Sequence, residues 1–198
     1  MKLINIFPVT VGAFEIERGL TISEIFFIKN LIQKRNKLNH ISVDSYVLKS
    51  RELSDINFFI EKCLNNYFQH LYQPGPETGI RVTQSWCNYT KPGEGHHAHD
   101  HPNSFISGVF YIDSTSEDTI SFYKNNNKVW DINSVNINEF NCKYWDFSAK
   151  KGTLYIFPSS LAHGVNLVEG NDTRISLSFN SFLTGTLGSE QNFTELLL

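Results

Sequence analysis

From Ile80 onward the chain is a succession of short runs rich in β-branched and aromatic residues, each bounded by Gly, Pro, Asn or Asp. This pattern is typical of the strands of an all-β sandwich or barrel. Seven strands are predicted: Ile80–Tyr89, Phe105–Asp113, Thr119–Lys124, Tyr144–Phe147, Thr153–Phe157, Gly164–Val168 and Thr173–Phe182. Asn125–Asn127 marks a loop, and the unpatterned stretch Asn133–Asn141 is predicted to be a surface loop or lid.

The first part of the chain, up to about residue 73, has a different pattern. A helix is predicted over Ser23–Ile32, beginning at a suitable N-cap residue. A second helix follows Ser54, where apolar residues recur at helical spacing until Pro74–Pro76 ends them. Ile4–Val9 is predicted to be an edge strand ended by its proline. Together these features predict a mainly β, α+β domain in which N-terminal helices pack on one side of a sheet.

Composition limits the classes of partner. The length of 198 residues suits one domain with a substantial core. A net charge of −3 excludes nucleic-acid binding by bulk charge. Three widely spaced cysteines without a C-x-x-C pair argue against a disulfide framework or a zinc ribbon and suit a reducing cytosol. The uncharged run near the N-terminus is too short to cross a membrane, so we expect a soluble cytoplasmic protein without a membrane partner.

The histidines are the strongest chemical signal. Four of the seven, His96, His97, His99 and His101, lie within six positions. Residues two apart on a strand point to the same side, so His99 and His101 could reach one metal ion. The pair His97 and His99 satisfies the same spacing, and this register stays open. A third ligand is expected from His163, which follows a strand and a turn of small residues and begins the next strand.

A polar face on the last predicted strand points to an anionic ligand. Arg174, Ser176 and Ser178 alternate with apolar residues and therefore share one side of the strand. A guanidinium facing inward is costly unless an anion neutralises it. A ligand carboxylate, bound by Arg174 with a serine hydroxyl beside it, removes that cost.

Five segments carry a resemblance to a known superfamily: Ser85–Asn88, His99–Ser104, Ser107–Tyr111, Phe157–His163 and Arg174–Asn180. In this order and with these gaps they resemble the 2-oxoglutarate/Fe(II)-dependent oxygenases of the prolyl-hydroxylase-like branch. Within that branch they are similar to a family found in marine bacteria and their phages. The resemblance covers roughly residues 84 to 182. It implies a double-stranded β-helix, or jelly roll, over residues 77–185, with residues 1–76 as mainly helical support and 186–198 as a C-terminal tail of the same domain.

The resemblance also implies a ligand set. Fe(II) would be bound at one mouth of the β-helix by His99, His101 and His163, leaving positions for 2-oxoglutarate and O₂. The superfamily usually has H-x-D at the first two positions, and here the carboxylate position aligns with His101. Three neutral imidazoles leave the site one unit more positive and weaken its preference for iron over zinc or copper.

The implied cosubstrate site uses four residues. Arg174, with Ser176, would bind the distal carboxylate of 2-oxoglutarate, Tyr111 would offer a phenol to it, and Asn88 would line the pocket. Trp86 and Asn180 are weaker lining candidates. The expected activity is hydroxylation of an unknown prime substrate, either a protein residue or a small molecule, and if the gene is phage-encoded the enzyme acts in the host cytoplasm.

Two alternatives use the same architecture. Cupins carry a glycine separated from H-x-H by five intervening residues, as Gly93 is here, and a second motif that Gly152, Pro158 and His163 match. The cupin glutamate is absent from Pro102–Ile106, and an R-x-S strand is not a cupin feature. The other alternative is a non-catalytic jelly-roll binding module in which the histidines form the mouth of a ligand site.

Overall fold

The computed structural model of the protein describes residues 1–2, 4–124 and 132–198, so the predicted loop Asn125–Asn127 lies outside the described residues. The α-helices are α1 (Ile22–Lys29) and α2 (Ser54–Tyr72). Short 3₁₀ turns cover Val47–Lys49, Arg51–Leu53 and Glu190–Asn192. The strands are β1 (Gly12–Glu15), β2 (Gln33–Arg35), β3 (His40–Ser42), β4 (Thr78–Thr90), β5 (His96–His99), β6 (Ile106–Asp113), β7 (Thr119–Tyr123), β8 (Tyr144–Ser148), β9 (Thr153–Pro158), β10 (His163–Val165), β11 (Arg174–Leu187) and β12 (Leu196–Leu197).

The strands form two antiparallel sheets. The larger sheet has the order β1-β9-β6-β11-β4-β3-β2, with β12 paired to β11, and the smaller sheet has the order β5-β10-β7-β8. Between the sheets lies an aromatic core in which Tyr111 and Phe157 of the larger sheet meet Phe122 of the smaller one. Two sheets joined by crossing connections around a shared core form a jelly roll. The predicted double-stranded β-helix is therefore confirmed.

The outer face of the larger sheet is covered by α2. One side of this helix is fully apolar: Ile56, Ile60, Cys63, Leu64, Tyr67 and Phe68. These residues share one buried cluster with Phe110 of β6 and Leu177 and Phe179 of β11. Burying such an apolar stripe against a sheet is the main source of stability for a helix of this kind. The predicted packing of N-terminal helices on the sheet is confirmed, and it holds the larger sheet rigidly behind the site.

A capping box defines the start of α1. The Thr21 hydroxyl accepts a hydrogen bond from the Glu24 amide, and the Glu24 carboxylate accepts one from the Thr21 amide. Arg18 neutralises the nearly buried Glu24 carboxylate. The helix ends at Lys29, where Asn30 caps it, so it is shorter than the predicted Ser23–Ile32.

One prediction for the N-terminal part is wrong. Ile4–Val9 forms no strand, and the strand that extends the sheet is β1, which pairs with β9. Pro8 lacks the amide proton that ladder pairing needs, whereas Gly12 lets β1 lie against the ring of Tyr67, only 2.8 Å from where a Cβ would stand. The first 76 residues also contain the hairpin β2–β3, which pairs with β4.

The predicted strands of the second part are all present, with small differences in their bounds. β10 ends at Val165 instead of residue 168, and β11 continues to Leu187, where β12 folds back on it. Asn133–Asn141 contains no helix or strand, as predicted. No helix in the described part of the chain has the length and apolar character needed to span a membrane.

Candidate active site

Three histidines converge at one end of the β-helix. His99 ends β5, His163 begins β10, and the two are direct partners in the smaller sheet. His101 lies just beyond β5, where its amide donates to the carbonyl of Ser159. One ring nitrogen of each histidine lies within 4.8 Å of those of the other two, and the Nε2 atoms of His99 and His101 are 3.1 Å apart.

Backbone carbonyls orient two of these rings. Nδ1 of His99 lies 2.8 Å from the carbonyl oxygen of His97, and Nδ1 of His163 lies 3.0 Å from that of Leu161. A carbonyl oxygen only accepts, so Nδ1 must carry the proton in both rings. The unprotonated Nε2 of each ring then presents its lone pair to the common point, which is the tautomer a metal ligand needs.

A side-chain network orients the third ring. Nδ1 of His101 lies 2.5 Å from Oδ1 of Asn180, which also accepts a hydrogen bond from the hydroxyl of Ser107 at 2.9 Å. The amide oxygen therefore plays the same part for His101 as the backbone carbonyls play for the other two rings. The sequence indicated Asn180 only as a weak pocket-lining candidate. The structure places its amide behind the ring of His101.

Burial keeps the three imidazoles neutral. Desolvation lowers the pKa of His99 and of His101, and it lowers the pKa of the more deeply buried His163 to about 3. Neutral imidazole is the form that binds metal. The donor set, three neutral nitrogens with their other nitrogens already hydrogen-bonded, therefore fits a divalent ion.

The structure distinguishes the two possible histidine registers by geometry. Across the described residues, the cluster able to hold a metal contains His99, His101 and His163 and does not contain His97. His97 contributes its backbone carbonyl to His99 instead, and its buried Nδ1 has no hydrogen-bond partner.

A buried guanidinium lies in the same cavity. Arg174 is 3% exposed and donates to the carbonyl of Thr119 at 2.7 Å and to the hydroxyl of Tyr111 at 3.3 Å. No carboxylate pairs with it in the part of the chain that the structure describes. Tyr111 is fully buried, and desolvation raises its pKa to about 12, so it remains a neutral donor. A buried cation held by neutral groups alone is costly, and a bound anion would remove that cost.

His163 and Arg174 lie on different sheets. The strand β10 belongs to the smaller sheet and β11 to the larger one. The guanidinium reaches β7 of the smaller sheet through the Thr119 carbonyl. The histidines and the arginine thus line one cavity from two sheets.

The remaining predicted residues line this cavity as well. In the larger sheet Ser176 of β11 lies between Asn88 of β4 and Tyr111 of β6. The Asn88 amide donates to the hydroxyl of Ser178 at 3.0 Å. The full lining is Asn39, Trp86, Asn88, Thr90, His96, His99, His101, Gly108, Val109, Tyr111, Ile120, Phe157, His163, Val165, Arg174, Ser176 and Ser178.

Asn39 and His96 are among the lining residues to which the sequence analysis assigned no role. Asn39 comes from the β2–β3 hairpin and is fully buried, with its amide 3.5 Å from Oδ1 of Asn88. His96 was part of the histidine cluster but received no role. His96 does not belong to an H-x-H pair, and a single asparagine in a loop, such as Asn39, forms no recognisable motif.

A family model matches the region that contains these residues. Residues 84–180 match the family described as "Putative 2OG-Fe(II) oxygenase". They form a 2-oxoglutarate/Fe(II) oxygenase domain. The protein is therefore an enzyme of the oxidoreductase class, with Fe(II) as cofactor and 2-oxoglutarate and O₂ as cosubstrates. The resemblance recognised in the sequence is confirmed at the level of this superfamily, while an origin in marine bacteria or phages stays a prediction.

Solved structures share the fold of the oxygenase. A 2OG-Fe(II) oxygenase family oxidoreductase from Burkholderia pseudomallei is 13% identical with a TM-score of 0.56, covering 79% of this chain and 74% of its own. HygX from Streptomyces hygroscopicus, solved with nickel and 2-oxoglutarate, is 9% identical with a TM-score of 0.60, covering 87% and 82%. A Trichoplax adhaerens prolyl hydroxylase, solved with a hypoxia-inducible factor peptide, is 14% identical with a TM-score of 0.58, covering 87% and 83%. A search of curated proteins gives no significant match.

Proposed function

We propose that His99, His101 and His163 bind the Fe(II) of this oxygenase through their Nε2 atoms. The observation that carries the proposal is the hydrogen bonding of all three Nδ1 atoms to oxygen acceptors, which directs three lone pairs to one point. When bound there, the iron supplies the centre at which O₂ is activated, 2-oxoglutarate is oxidatively decarboxylated and the prime substrate is hydroxylated. The chain's own part is to hold three neutral donors rigidly and to leave one side of the ion open to the cavity.

The same proposal assigns the cosubstrate site. Arg174 binds the distal carboxylate of 2-oxoglutarate, Ser176 and Tyr111 add hydroxyl donors, and Asn88 closes the wall of the pocket beside Ser176. The support is that Arg174 is buried, has no acidic partner among the described residues and lines the same cavity as the histidines. The low dielectric around the guanidinium strengthens its attraction for the carboxylate. With that carboxylate bound to Arg174, the keto acid end of the ligand points toward the imidazoles.

Metal analysis tests the histidine assignment. Protein made without a His tag and loaded anaerobically with Fe(II) is expected to hold one ion, and His99→Ala, His101→Ala and His163→Ala are each expected to lose it. His70→Ala removes an exposed histidine of α2 and is the matched control, expected to retain the ion. Full metal content in any of the three site variants would refute that residue's assignment.

The prime substrate proposed here is an amino-acid residue of a peptide or protein. The support is an open, partly apolar groove near the site, lined by Val11, Trp145, Phe147 and Leu161 among others. The groove also includes Phe122, whose ring lies 6.1 Å from that of His163 between centroids, so the groove lies beside the histidine cluster. Incubation with protein and small-molecule fractions of a cell extract tests this, with succinate formation as the readout. Stimulation by the small-molecule fraction alone would refute a peptidyl substrate.

We further propose that residues 1–198 are one domain, in which residues 1–76 support the β-helix of 77–185 and 186–198 form a short tail. The shared cluster of α2 with β6 and β11 supports this, because removing the helix would expose that face. A fragment beginning at residue 77 is therefore expected to aggregate. A cytoplasmic location, in the host if the gene is phage-encoded, is proposed because the described cysteines Cys63, Cys87 and Cys142 are free thiols.

A further inference from the structure

We propose that His96 is a cosubstrate-binding residue that donates a hydrogen bond to the metal-proximal, keto acid end of 2-oxoglutarate. This rests on the proposed function and deepens it, since it adds to the cosubstrate site a residue other than Arg174, Ser176, Tyr111 and Asn88. Three features of the structure support it: a bulge that turns His96 into the cavity, ring nitrogens without protein partners, and proximity to the metal ligands.

The bulge is visible in the pairing of β5 with β10. His163 pairs with His99, but Val165 pairs with His96, so two steps along β10 correspond to three along β5. In a regular strand residues three apart point to opposite sides. The extra residue reverses this and places His96 on the same side as His99, where both line the cavity. Bulges next to active sites commonly re-aim a side chain in this way.

The His96 ring has unused hydrogen-bonding capacity. Its contacts are with rings: the centroid lies 4.3 Å from that of His99, edge to face, and 5.2 Å from that of His97. Within the described part of the chain neither of its ring nitrogens has a hydrogen-bond partner, and neither is closed off from the cavity. A neutral imidazole always carries one N–H donor, and a carboxylate or keto oxygen is an acceptor.

The position of His96 indicates which end of the ligand it meets. His96 is adjacent to His99 but is not part of the cluster whose nitrogens converge on the metal position. The guanidinium of Arg174, the hydroxyl of Tyr111 and Ser176 line the same cavity. An N–H beside the ligands, and outside their convergence point, is placed to contact the atoms of the cosubstrate that lie next to the ion.

Two variants of His96 and one matched control test the proposal. His96→Phe keeps a planar ring without a donor, His96→Gln keeps a donor, and His70→Phe makes the same change on the exposed face of α2. Calorimetric titration of 2-oxoglutarate into nickel-loaded protein is expected to give a dissociation constant about 10- to 100-fold higher for His96→Phe, the usual cost of a hydrogen bond to a charged acceptor. His96→Gln is expected to recover most of the loss, and His70→Phe to match the parent.

Further measurements separate the possible failures. Nickel affinity is expected to be equal in all four proteins, and a large loss in His96→Phe would instead make His96 a metal ligand and overturn the proposal. The visible absorption of the anaerobic Fe(II)–2-oxoglutarate complex at saturation is expected to shift in His96→Phe. An unchanged dissociation constant, or an unshifted band, would refute the contact. Absence of 2-oxoglutarate binding in the parent would refute the proposed function itself.

Discussion

Removing the Arg174 guanidinium is expected to uncouple cosubstrate binding from metal binding. Arg174→Ala deletes the buried cation of the cavity, while the three imidazoles and their hydrogen-bonding oxygens belong to other residues. We expect the dissociation constant for 2-oxoglutarate to rise steeply and the metal content to stay near that of the parent. Arg174→Lys retains the charge without the planar guanidinium, so its dissociation constant for 2-oxoglutarate is expected to lie between those of the parent and Arg174→Ala.

The size of the effect follows from the donors that Arg174 has left. A guanidinium has five N–H donors, and the structure engages Nη1 with Thr119 and Nη2 with Tyr111. The remaining donors suffice for a two-point contact with a carboxylate. Losing such a charge-assisted contact in a buried site costs about 2–4 kcal/mol, or roughly 30- to 1,000-fold in affinity.

Calorimetry on metal-loaded protein measures this directly. The matched control is Arg81→Ala, which removes the same charge from an exposed position of β4 and is expected to bind 2-oxoglutarate like the parent. Thermal unfolding of each variant separates loss of affinity from loss of fold, since Arg174→Ala also leaves the Thr119 carbonyl without its donor. Equal 2-oxoglutarate affinities for parent and Arg174→Ala, with both proteins folded, would refute the reasoning.

Three further outcomes are expected. Asn180→Ala should weaken metal binding, because the His101 ring loses its hydrogen-bond acceptor. Asn180→Asp should restore binding, since a carboxylate accepts the same proton. Equal metal affinities of the parent and Asn180→Ala in a competition titration would refute this role. Because burial holds the pKa of His163 at about 3, below its ordinary value of 6.5, the unfolded chain takes up a proton first as pH falls. The free energy of unfolding of the metal-free protein should therefore fall as the pH drops below about 6.5. If the unfolding free energy of His163→Gln changed with pH as steeply as that of the parent, this prediction would be contradicted. Gly108→Ala should destabilise the fold by about 1–3 kcal/mol, because the new Cβ would stand 2.4 Å from the ring of Phe179. An unchanged midpoint in denaturant titration would contradict this.

Local patterns in the sequence were sufficient to predict most elements of this fold. The strands β4, β6, β7, β8, β9 and β11 were predicted to within a few residues, except that β11 runs on to Leu187. The helix α2 was predicted because its apolar stripe recurs at helical spacing. In each case turn residues and side-chain periodicity act over a few neighbouring positions, so they can be read without knowing the tertiary structure.

The motif chemistry was also readable, but its geometry was not. His99, His101 and His163 were predicted as a group from the H-x-H spacing and the strand–turn–His segment, and the structure brings them together. The strand alternation used to pair His99 with His101 is not what places them, since β5 ends at His99 and a hydrogen bond to Ser159 holds His101 beyond it.

What only the tertiary structure decided are the contacts between residues distant in sequence. Gln33–Arg35 is exposed and has no strand pattern, and it is a strand because β3 pairs it to the edge of the larger sheet. The amide of Asn180 reaches His101 across 79 positions, and Arg174 faces β7 of the opposite sheet. Sheet membership, strand register and bulges are set by pairing between segments far apart in the chain, and a local pattern cannot specify which segments meet. The sequence by itself therefore determined most of the elements and the donor types of the site. Folding determined which oxygen orients each imidazole and which side of β5 faces the cavity.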